Sequence, residues 1–179
     1  MASIRLTLTS VGIGPGAAYY RPEDRSGTLY HIPRPRLMIS LFVLPRDAAD
    51  RHLPDDLPHD WKPVAILDTG APLSVFPFDV WQPFADAIQW LAQPPAVRRL
   101  TIVGGTFTYR LGRLRFGAFD AGGNWLPAAA SNAWFLDADP GAPQQAVLGL
   151  RTRLFDQRQL RCADVPAAAF GQVWALDDS

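Results

Sequence analysis

Asp68 is the residue of this 179-residue chain best placed to do chemistry. It closes the apolar run Val64-Ala65-Ile66-Leu67, which reads as a short strand buried on both faces, and it opens the tight polar turn Thr69-Gly70-Ala71. Nothing about a buried strand calls for an acid at its end, and desolvating a carboxylate there is costly. A carboxyl group held in such a place can give or take a proton in a reaction. The competing reading is an ordinary turn in which Asp68 bonds its own backbone, and for a bare Asp-Thr-Gly tripeptide that reading is the stronger one.

The other chemistry-bearing residues offer less. Asp120-Ala121-Gly122-Gly123 is a second Asp-X-Gly, but its glycine pair before Asn124 fits a hairpin turn. His52 and His59 sit among Asp50, Asp55, Asp56 and Asp60 without a known ligand spacing, so this segment reads as a solvated excursion and no metal site is expected. Gly12-Ile13-Gly14-Pro15-Gly16 lacks the strand and helix that a dinucleotide cradle requires, and no cofactor is called for. Cys162 is the sole cysteine, which excludes an internal disulfide; it reads as a small, semi-buried apolar residue.

The elements that must position Asp68 are mostly strands and turns, in the pattern of an all-β barrel or sandwich. Met1 to Thr9 alternates like a strand. Arg34 to Val43 reads as a core strand, and Leu100 to Tyr109 as a hairpin tipped by Gly104-Gly105. One helix is expected: Asp79 caps it, Gln82 completes a capping box, and Trp81, Phe84, Ala85, Ile88 and Leu91 form its apolar face, with Pro94-Pro95 ending it. A second, short helix is expected near Thr152 to Gln159. Equal numbers of basic and acidic residues, 17 of each, remove the basic excess of a nucleic-acid binder. The longest apolar run, Leu37 to Leu44, is too short to span a bilayer, and no signal-peptide core is evident, so a cytoplasmic location is the default expectation.

Leu67-Asp68-Thr69-Gly70-Ala71 resembles the signature of the retropepsin family, the retrovirus-type aspartic proteases and their bacterial relatives. Ala146-Val147-Leu148-Gly149-Leu150 is similar to that family's second mark, two apolar residues followed by Gly and a short helix. The Leu100 to Tyr109 hairpin resembles its flap, and Arg34 to Val43 its first core strand. The likeness covers roughly Pro33 to Cys162. It implies a closed or partly open acid-protease β-barrel over residues 33–179, with one inserted helix and one short C-terminal helix. Met1 to Ile32 then forms an N-terminal extension that supplies an added strand or is removed by self-cleavage.

The resemblance also implies a reaction. A chain this short holds one usable aspartate, so catalysis demands a homodimer in which the Asp68 carboxyls of two copies share a proton and titrate as a pair. One Asp68 would take a proton from a bound water and the other would donate to the scissile carbonyl of an extended polypeptide. Thr69 would tie the two copies together and Gly70 would let the backbone approach the water. Substrate contacts are expected at Ala71, at Val103, Gly104, Gly105 and Thr106 of the flap, and at Val147, Leu148 and Gly149. The chain departs from the viral pattern at Pro72 and Leu150, which replace an acidic residue and an arginine that pair in viral members. The competing class of function is a retropepsin-fold peptide-binding or dimerisation module without hydrolysis.

Overall fold

The computed structural model describes residues 3–11, 18–20, 29–31, 34–46, 58–68, 70–92, 97–102, 105–120, 124–127, 130–149, 151–156, 158–164 and 172–178. Its strands are, in chain order, β1 (Ser3–Val11), β2 (Ala18–Tyr20), β3 (Leu29–His31), β4 (Arg34–Val43), β5 (Val64–Leu67) and β6 (Ser74–Phe76), followed by β7 (Gln89–Trp90) and β8 (Val97–Ile102). They continue with β9 (Gly105–Leu114), β10 (Phe116–Phe119), β11 (Trp125–Pro127), β12 (Ser131–Leu136), β13 (Ala146–Leu148), β14 (Arg158–Asp164) and β15 (Gln172–Asp178). The fold is all-β. One large sheet, curled into a half-barrel, runs β14-β15-β1-β4-β5-β13-β6-β12-β9-β7, with β10 and β11 joined to β4 and with β8 against β9; β2 and β3 pair separately.

β4 shows how the sheet curls. At Met38 it is flanked by Thr7 of β1 and Ile66 of β5, and by Leu41 it has exchanged β1 for Ala118 of β10 while its N–H still donates to Pro63 C=O, just before β5, at 2.9 Å. A strand that changes partners along its length turns the sheet back on itself, and the side chains on its concave face then meet. Ile39, Leu41 and Val43, at every second position, are all buried there. At the centre Phe76 stacks on Phe135 at 5.6 Å and meets Phe84 edge-on at 6.2 Å. β1 is part of this wall, held between β15 and β4, with Ile4 and Leu6 buried in the same core. The β10–β11 hairpin closes as its sequence demands: Asp120 N–H donates to Asn124 C=O, and the Asp120 carboxylate accepts from the Asn124 backbone N–H at 2.7 Å.

The expected helix is shorter than its apolar pattern implies. One α-turn, α1 (Phe78–Trp81), starts after Pro77 without any side-chain cap, so Asp79 lies inside the turn and is exposed. The chain then tightens into a 3-10 segment over Gln82–Ala87 that is broken at Phe84. Pro83 is the physical cause: with no N–H it cannot continue the α-ladder, and the segment ends at Ile88 instead of Pro94-Pro95, which lies outside the described residues. The apolar face survives because packing sets it. Trp81, Phe84 and Ile88 bury while Leu91, beyond β7, is 45% exposed. The second helix is likewise a single 3-10 turn, Arg153–Phe155, before the chain extends into β14.

Two burial expectations are corrected. Val64 is 47% exposed while Ala65 is fully buried, so β5 covers only one face, as the pleat of a one-layer sheet requires. Cys162 is exposed, as is Leu160 on the same face of β14, the strand at the end of the sheet order. Among the described residues no helix is long and apolar enough to cross a membrane.

Candidate functional site

The geometry around Asp68 follows from one feature of the topology. β5 and β6 are consecutive in sequence, yet they do not pair; β13 lies between them, parallel to β5 (Ile66 opposite Val147) and antiparallel to β6 (Val147 opposite Val75). The connection Asp68 to Leu73 must therefore bridge the end of β13. It is pinned at its start, where Asp68 N–H donates to Leu148 C=O at 3.0 Å, and near its end, where Pro72 C=O accepts Arg151 N–H at 3.2 Å.

Gly149, the residue that follows β13, lies directly beneath this bridge. A Cβ there would stand 2.5 Å from the carbonyl carbon of Leu73 and 2.6 Å from the carbonyl oxygens of Ala71 and Leu73. These are backbone atoms, which cannot rotate out of the way. Only a glycine lets the main chain pass this closely under the Asp68 turn.

Asp68 itself is exposed, and its Oδ1 accepts the Gly70 N–H at 2.8 Å while its carbonyl accepts the Ala71 N–H at 3.3 Å. The same turn recurs at Asp139-Pro140-Gly141-Ala142: Gly141 N–H donates to Asp139 Oδ1 at 2.8 Å and Ala142 N–H to the Asp139 carbonyl at 2.9 Å. The turn is thus local chemistry that any Asp-X-Gly can adopt. What Asp139 lacks is a strand end and a close-packed glycine beneath it: a Cβ on Gly141 would meet nothing nearer than 3.4 Å.

Three buried hydroxyls brace the underside of the bridge. Ser74 Oγ lies 2.6 Å from Thr152 Oγ1 and accepts the Gly149 N–H at 3.3 Å, while Ser131 Oγ accepts the Arg153 N–H at 2.9 Å. Sequence reasoning passed over all three. The available signal was Ser74, a hydroxyl set inside the apolar stretch Leu73 to Phe76, where it had to find a buried partner.

The structure thus brings Asp68, Gly70 and Ala71 together with Leu148 and Gly149. Leu148 turns its side chain into the core, where it is fully buried, and its carbonyl accepts the Asp68 N–H. Val147 faces the opposite side of the sheet and is half-buried beside Val75, Phe107, Tyr109 and Trp134. Gly105 and Thr106 begin β9 in a hairpin with β8, Ile102 opposite Gly105, and the hydroxyls of Thr101 and Thr106 lie 3.0 Å apart across it. Thr69, Val103, Gly104 and Leu150 lie outside the described residues, as does His52. His59 is almost fully exposed, and among the described residues no three His, Cys, Asp or Glu side chains gather in a group able to hold a metal.

No family model matches the sequence, and no curated protein matches it at a significant level.

Proposed function

We propose that this chain is a retropepsin-like aspartic endopeptidase whose active site forms when two copies bring their Asp68 carboxyls together. The observation that carries the reading is the threading of β13 between β5 and β6, with Gly149 packed under the Asp68 turn. That packing ties the two sequence marks of the retropepsin resemblance, Asp68-Thr69-Gly70 and Leu148-Gly149, into one unit. An exposed carboxylate on a rigidly supported turn is suited to acid–base work on a bound water. In the dimer the ionised Asp68 removes a proton from water as it adds to the scissile carbonyl. The protonated Asp68 of the second copy donates its proton to the carbonyl oxygen, with no covalent enzyme intermediate. The β8–β9 hairpin would cover an extended polypeptide, and Ala71 and Val147 would meet its side chains. The protein would act as a soluble, cytoplasmic enzyme.

A specific observation supports a second reading, a barrel that binds peptides or dimerises without hydrolysis. Asp139 forms the same turn as Asp68 away from the β5–β13–β6 threading, so the turn by itself does not mark a reactive acid. Cleavage of a mixed peptide library between about pH 4 and 7, a range that brackets a coupled carboxyl pair, separates the two. Turnover by the wild type and none by Asp68→Asn supports the protease. No turnover by either leaves the binding module, and equal turnover by both overturns the Asp68 mechanism.

A further inference from the structure

The hydroxyls beneath the Asp68 bridge are connected in an unexpected order. Thr152 occupies the N-cap position of the 3-10 turn Arg153–Phe155, where a threonine hydroxyl ordinarily accepts from the first backbone N–H groups of the turn, yet it makes no such bond. Its hydroxyl points instead to Ser74 Oγ, 2.6 Å away and equally buried. The Arg153 N–H, the first of the turn, is taken by Ser131 Oγ from β12, a strand distant in sequence. Each hydroxyl is thereby engaged by a different segment: Ser74 at the start of β6, Thr152 after Gly149, and Ser131 at the start of β12.

We infer that Ser74 and Thr152 are positioning residues for Asp68, a role that rests on the protease reading above. Ser74 Oγ uses a lone pair to accept the Gly149 N–H, and a second hydrogen bond joins it to Thr152 Oγ1, with either hydroxyl able to donate. Gly149 presses against Ala71 and Leu73, and its neighbour Leu148 holds the Asp68 N–H, so the hydroxyl pair fixes the height of the main chain on which Asp68 rides. Turned to a local cap, the Thr152 hydroxyl would leave the buried Ser74 Oγ without this partner. The hydroxyl pair therefore ties the turn after Gly149 to β6, the far anchor of the bridge. Neither hydroxyl touches substrate; both act through Gly149.

The test compares Thr152→Val, Ser74→Ala and the conservative Thr152→Ser with the wild type, by backbone amide hydrogen exchange and by peptide cleavage. Expected for Thr152→Val and Ser74→Ala is faster exchange confined to the Asp68 turn and the Gly149 amide, with β9–β12 amides unchanged. In cleavage, kcat falls on the order of 10- to 100-fold at nearly constant KM, the size of a small misplacement of a reacting group. Thr152→Ser, which keeps the hydroxyl, retains both properties. Ser74→Ala adds no atom and keeps the test open should Thr152→Val, which sets a methyl against Ser74 Oγ, fail to fold. Exchange at the turn unchanged in both variants, or raised equally throughout the sheet, overturns the positioning role. Failure of the protease reading is separable: Asp68→Asn would then cleave like the wild type, while the exchange comparison still decides what Ser74 and Thr152 hold in place.

Discussion

Ala71 and Gly149 are in such close main-chain apposition that a Cβ on Gly149 would stand 2.6 Å from the Ala71 carbonyl oxygen. Gly149→Ala is therefore expected to push the bridge off the end of β13 and to destabilise the fold by about 1–3 kcal/mol, the usual cost of overpacking a filled site. Gly141→Ala, where the nearest atom is an Asp139 oxygen at 3.4 Å, is the matched control and should change stability little. Urea unfolding of the two variants reads the difference. Equal stabilities would mean that the contact under Ala71 relaxes freely.

Asp68→Asn is expected to leave the fold intact, because an amide oxygen can accept the Gly70 N–H as the carboxylate does now at 2.8 Å. Peptide cleavage should disappear, since an amide neither takes nor gives the proton at working pH. Thermal unfolding and a cleavage assay run on one preparation check both halves.

A site shared between two copies makes a further demand. Adding excess Asp68→Asn protein to a fixed amount of wild type should poison cleavage by forming mixed dimers that carry a single reactive carboxyl. Activity that stays constant during this titration would show that each chain works alone. Analytical sedimentation over the same concentrations gives the oligomeric state directly.

Away from the site, Arg110 anchors the edge of the large sheet. Its Nε and Nη2 both donate to Asp137 Oδ1, at 3.0 and 2.7 Å, and its guanidinium lies 5.3 Å from the Trp81 ring and 5.2 Å from the Trp90 ring. Lysine keeps the charge but loses the planar fork and the stacking, so Arg110→Lys should cost about 1 kcal/mol. Urea denaturation followed by tryptophan fluorescence measures it. A change within error would assign the cluster's stability to the Trp81 indole N–H, which donates to Leu136 C=O at 2.8 Å.

Much of the strand layout was legible in the chain. Arg34–Val43 is the strand its composition predicts, Asp120 and Asn124 close the expected hairpin, and β8 and β9 pair as expected, although Gly105, expected at the tip, already belongs to β9 opposite Ile102. These elements are set by contacts between near neighbours, which local sequence encodes. The helix was misjudged for the same reason. Its apolar spacing is real, but Pro83 acts on the hydrogen-bond ladder rather than on the spacing, and the ladder gave way while the buried face held.

By itself, the sequence determined that the protein is built of strands, that a carboxylate ends one of them, and that a glycine follows another some 80 positions later. Only the tertiary structure decided that these two ends lie together. β13 enters between two strands that are neighbours in sequence, so the Asp68 bridge and Gly149 meet at a distance that no side chain could share. Tertiary structure also decided that Leu148 turns into the main core while Val147 packs on the opposite face, and that the Thr152 hydroxyl bonds Ser74. The pairing of segments far apart in the chain depends on the closure of the whole sheet, and periodicity within a short window carries no record of it.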